Sequence, residues 1–93
     1  MNAKQFKLHG KSILIMVEQA VLTTNGVPQY DITLMANNGL PEGEWVQWNP
    51  TIKGLKRLKS NKYRVTGYYE GTTSLIHYVY NIVSNWYPSY LND

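Results

Sequence analysis

This 93-residue chain predicts an α+β fold in which an antiparallel β-meander carries two helices on one face, a two-layer sandwich. Three observations carry that reading. Alternating apolar runs flank two glycine turns in the first third of the chain. An apolar repeat at three- and four-residue steps covers 75–86. Between these lie an Asn-Pro helix start and a second strand-like run, which supply the remaining helix and strand.

The first strands, near 4–8 and 12–23, are separated by His9-Gly10, where glycine supplies the positive φ of a tight turn. Asn25-Gly26 marks a second hairpin, pairing 12–23 with a strand at 28–36. With those two residues as the loop, Val21 faces Tyr30, Gln19 faces Ile32 and Val17 faces Leu34. One face then gathers Ile13, Ile15, Val17, Val21, Tyr30, Ile32 and Leu34, and Gln19 is its misfit. The other carries Leu14, Met16, Glu18, Ala20, Asp31, Thr33 and Met35, a mixed set suited to a partly solvated surface.

ANNGLPEGE is a loop by composition, and EWVQW (44–48) a short strand with Trp45 and Trp48 on opposite faces. Asn49 and Pro50 fit a helix cap and first turn, so a helix is expected over 50–60 with Ile52, Leu55 and Leu58 on its apolar side. Gly54 interrupts it, and Ser60-Asn61 ends it. A strand follows over 62–69, with Tyr63, Val65, Gly67 and Tyr69 on one face. The last helix, 73–87, places Leu75, Tyr78, Val79, Ile82, Val83 and Trp86 on one stripe before Pro88 stops it. No repeat, low-complexity segment or linker divides the chain, so residues 1–93 form a single domain.

With 43% hydrophobic and 16% charged residues the composition is that of a globular domain. The chain contains no cysteine, which excludes disulfides and cysteine-ligated zinc and fits a cytoplasmic protein. The apolar run Ile13–Val17 is shorter than a signal peptide or a membrane span requires, so no membrane association is expected. Lys outnumbers Arg, and Asn and Tyr are abundant while Ala is scarce. These residues use A/T-rich codons, which points to a low-GC bacterium, a phage or a mobile element.

Catalytic and metal chemistry find little support. HGKS (9–12) matches the end of a phosphate-binding P-loop, but Gln5 stands where the pattern needs its first glycine and a strand follows instead of a helix. His9 and His77 fall in different elements, without a second ligand at metal spacing. Glu42 and Glu44 lie in a Pro/Gly turn, where a solvated acidic loop is the plainer account. No nucleophile elbow occurs. The chain is therefore expected not to be an enzyme and to need no metal or cofactor.

Charge is segregated. Lys53, Lys56, Arg57, Lys59, Lys62 and Arg64 fall within twelve positions, and no acid lies between Glu44 and Glu70. On a helix at 50–60, Lys53, Lys56 and Arg57 project away from the apolar side, and Lys59 falls nearer to it. Lys62 and Arg64 leave on one face of the next strand, with Tyr68 on the same face four positions beyond Arg64. Such a track predicts a small non-enzymatic nucleic-acid-binding accessory protein that contacts the backbone of DNA or RNA, with Tyr68 stacking on an unpaired base. A helix C-terminus also attracts Lys and Arg, which is the structural account of the same cluster. A second function class uses Ile76, Tyr80 and Tyr87, a secondary stripe on the last helix that suits a protein–protein interface of an adaptor, accessory subunit or inhibitor.

Overall fold

A computed structural model describes residues 2–22, 26, 28–65 and 72–86. Six strands and one helix occur among them, in the order β1 (Asn2–Leu8), β2 (Lys11–Leu22), β3 (Pro28–Ala36), β4 (Val46–Gln47), β5 (Leu55–Lys59), β6 (Lys62–Val65) and α1 (Thr72–Trp86). All pairings are antiparallel, with sheet order β1-β2-β3-β6-β5. β4 shares the outer edge of β3 with β6, opposite Met35 and Ala36.

The expected two-helix α+β sandwich is corrected to a mostly antiparallel sheet carrying one helix, with the meander retained. Residues 50–60 are not a helix. Gly54 sits at φ +98°, outside any right-handed helix, and the chain then enters β5, which hydrogen-bonds to β6 across a turn with Ser60 at φ 44°. A lone helix of that length with glycine at its centre is marginal. The strand alternative pairs its backbone with β6 and still buries Leu55. Asn61 turns the hairpin and does not cap a helix. Its side-chain amide donates to the Leu34 carbonyl at 3.2 Å and to the Met35 sulfur at 3.0 Å.

Ile13, Ile15 and Val17 of β2, Tyr30, Ile32 and Leu34 of β3, and Tyr63 and Val65 of β6 are buried on one face. α1 covers the β1–β2 half of that face with Leu75, Ile76, Val79 and Val83. The segment 48–54 covers the rest, taking the place of the helix expected over 50–60. It buries Trp48, Pro50 and Ile52, the Pro50 carbonyl accepts the Tyr63 hydroxyl, and Gly54 approaches Ile82 of α1.

Two details of register differ from expectation. His9 (φ 51°) and Gly10 (φ 80°) form the two-residue turn expected between β1 and β2. In the next hairpin Val17 faces Ile32 and Gln19 faces Tyr30, two residues from the pairing that a two-residue Asn-Gly loop requires. The longer connection runs from Leu22 to Pro28, and a bulge between Gln19 and Val21 turns Val21 off the core face, leaving it 51% exposed. On α1 the buried stripe includes Ile76, while Tyr78 faces outward. The expected strand residues 66–69, the loop residue Asn25 and helix residue 87 lie outside the described residues. No helix among the described residues is long and apolar enough to cross a membrane.

The opposite face of the sheet carries Gln5 and Lys7, then Ser12, Leu14, Met16 and Glu18, then Asp31, Thr33 and Met35, then Lys62 and Arg64. No described element packs across it except the loop 37–45 at one corner, whose residues share a cleft with Gln5, Lys7 and Ser12. Leu14, Met16 and Met35 on this face are only half-buried.

Candidate functional site

The six basic residues that cluster in the sequence belong to the loop before β5 and to the β5–β6 hairpin. Directly opposed residues on antiparallel strands share a face. Lys56 opposes Arg64 and Lys59 opposes Lys62, so these four side chains lie together on the uncovered face. Strict alternation would send Lys59 to the core side with Arg57. The register shift between Arg57 and Lys59 re-aims it. Like charges placed directly opposite are unfavourable in a sheet, and here two such pairs adjoin.

Acids from other strands answer the inner half of this cluster. Asp31 of β3 lies opposite Arg64 and accepts from its Nη2 at 3.2 Å and from its Nε at 3.3 Å. Glu18 of β2 accepts from Lys62 Nζ at 3.3 Å. The Asp31 side chain is 16% exposed and that of Glu18 is 45% exposed, so the Arg64 pair is the better shielded from solvent. Both acids lie far away in sequence, and alternation places both on the mixed face of the β2–β3 hairpin. Only the β3–β6 pairing reveals that they meet the cluster.

The outer half is different. Lys56, Arg57 and Lys59 are exposed, and among the described residues the side chains of Lys56 and Lys59 have no ionic or hydrogen-bond partner. Arg57 leaves β5 on the other side and donates from Nε to the Ser60 carbonyl at 2.9 Å. Lys53 lies at the surface in the turn ahead of β5. The hairpin is held firmly at its turn. The Ser60 hydroxyl donates to Gln47 Oε1 of β4 at 2.9 Å, and the Leu34 N–H donates to the Asn61 carbonyl at 3.2 Å. Cations are thus presented from a fixed strand pair and not from a helix end, which removes the helix-dipole account of the cluster. Its replacement is edge protection, since β5 is an outer strand and lysines on an edge discourage pairing with another chain.

Tyr68 and Tyr87 lie outside the described residues. Ile76 is 4% exposed in the core. Tyr80 is half-buried, stacks on Phe6 with ring centroids 4.3 Å apart, and donates its hydroxyl to the Lys7 carbonyl at 3.0 Å. The described part of the expected interface stripe therefore fastens α1 to β1. His77 meets Phe6 edge-on, and His9 sits in the first turn.

These features describe a one-sided antiparallel sheet whose bare face ends in a basic hairpin. Comparison with protein-family models, curated proteins and solved structures finds no match for this chain.

Proposed function

We propose that the protein is a non-enzymatic binding module that contacts the phosphate backbone of a nucleic acid through the β5–β6 hairpin. The observation that supports this reading is the pair of opposed like charges, Lys56 with Arg64 and Lys59 with Lys62, brought onto one exposed face by a bulge. Edge protection requires lysines on β5. It does not require them to face further cations on β6. Asp31 and Glu18 offset only the inner member of each pair, a polyanion offsets the outer one, and release of its condensed counterions drives association.

The footprint is narrower than the sequence cluster. Lys62 and Arg64 are engaged by Glu18 and Asp31, so Lys56 and Lys59 make the contacts on the uncovered face, and Arg57, which leaves β5 on the other side, adds a third where the polyanion wraps the outer edge, with Lys53 flanking them. Among the described residues, β2, β3 and β6 place no aromatic side chain on the uncovered face. The hairpin's Lys and Arg therefore serve backbone contact, which carries no base sequence. Anisotropy titration of labelled single- and double-stranded DNA and RNA at two salt concentrations tests the reading. Binding at low salt, weakening steeply as salt rises and little altered by base sequence, is the expected result. Absence of binding at low salt refutes it.

A further inference from the structure

Two sequence features stand apart from the hairpin: the HGKS turn and the acidic turn at Glu42. The fold brings them together at the far corner of the uncovered face. Asn37 follows β3 there, and its N–H donates to the Ser12 carbonyl at 3.0 Å. Its side-chain amide donates to the Pro41 carbonyl at 3.1 Å and the Glu44 carbonyl at 2.8 Å, so it sets the shape of the whole loop. Asn38 (φ 52°) and Gly39 (φ 80°) form a turn of the same hand as His9-Gly10.

The loop walls a cleft of about 360 Å³ lined by Gln5, Lys7, Ser12, Asn37, Glu42 and Trp45, among others. A second cleft of about 350 Å³ shares Lys7, Ser12 and Asn37 and adds Gly10, Lys11 and Gly39. Together they are large enough for a small organic ligand. Among the described residues, the side chains of Gln5, Lys7, Lys11, Ser12 and Glu42 have no hydrogen-bond or ion-pair partner. The two halves differ in chemistry. Lys11 lines only the second cleft, whereas Glu42 and Trp45 line only the first. A ligand that satisfies both is anionic at one end, and at the other offers hydrogen-bond donors and a flat apolar face.

We propose that this double cleft binds a phosphorylated ribonucleoside. Its phosphate lies against Lys7, which lines both clefts, and the Ser12 hydroxyl, where charge-assisted hydrogen bonds are the strong ones. Glu42 accepts from the ribose hydroxyls, and the base lies on the Trp45 indole. The site is distinct from the β5–β6 hairpin and does not depend on that hairpin binding a polymer.

The test is a titration of the full chain followed by amide and indole NMR shifts, with adenosine 5′-monophosphate, 2′-deoxyadenosine 5′-monophosphate, adenosine and inorganic phosphate as separate probes. The ribonucleotide should shift the Gly10, Gly39 and Gly43 amides and the Trp45 indole, and bind about tenfold or more tighter than adenosine or phosphate alone. Lys7→Ala should reduce its affinity to that of adenosine. Glu42→Gln should remove the preference for ribose over deoxyribose. Lys56→Glu/Lys59→Glu should leave ribonucleotide binding unchanged, which separates this site from the hairpin. No shift at these positions, inorganic phosphate binding as tightly as the nucleotide, or loss of binding in the hairpin variant would overturn the proposal.

Discussion

At the residue scale, two tyrosines show how similar bonds differ in weight with their surroundings. Tyr63 is fully buried, and its hydroxyl is donated to the Pro50 carbonyl beneath the 48–54 segment. Tyr80 makes an analogous bond to the Lys7 carbonyl at the edge of the molecule, where water can replace it. Leaving a buried acceptor without its donor costs about 1–3 kcal/mol, whereas an exposed bond contributes about 0.5–1.5 kcal/mol or less. Tyr63→Phe should therefore lower the free energy of unfolding in urea by more than Tyr80→Phe does, with the slope of the transition unchanged in both. Equal effects would mean that the Pro50 contact does not hold the second layer in place. Residue-level core assignments were largely legible, because alternation in Ile13–Val17 and Tyr30–Leu34 leaves one possible inner face. Val21 was not, because the bulge that turns it outward has no local signature beyond the misfit of Gln19.

At the element scale, LKRLK is the instructive stretch. Its apolar residues recur every third position, and Asn-Pro ahead of it imitates a helix start. The local pattern therefore favours a helix, and tertiary pairing overrides it. Gly54 at φ +98° and the Ser60-Asn61 turn make a hairpin, and β6 satisfies the backbone of β5. A bulge inside β5 hides the two-residue period that would have betrayed a strand. The same lysines that form the proposed site guard an open sheet edge. Lys56→Thr/Lys59→Thr should thus raise self-association in sedimentation velocity as well as weaken nucleic-acid binding. A variant that stays monomeric at every concentration would show that the lysines are not needed for edge protection.

At the scale of the whole molecule, the sheet divides the protein into a covered face that carries stability and a bare face that carries charge. The basic cluster was legible as a run of residues, but its effective charge was not. Glu18 and Asp31 lie 44 and 33 positions from the cations they pair with, and only the β2-β3-β6 order brings them together. The corner cleft was likewise illegible, since its parts come from a hairpin turn and a loop that each look ordinary alone. The central claim is that the hairpin binds phosphates with a reach trimmed by those two acids. The direct measurement is the slope of log affinity against log salt for a labelled duplex, compared among three proteins. The unaltered chain, with three contacts, should give a slope of about −3. Glu18→Gln/Asp31→Asn frees Lys62 and Arg64 while losing only ion pairs that remain partly open to solvent, and should steepen the slope to about −4.5. Lys56→Glu/Lys59→Glu should flatten it to about −1 or remove binding altogether. One slope shared by all three would contradict the account.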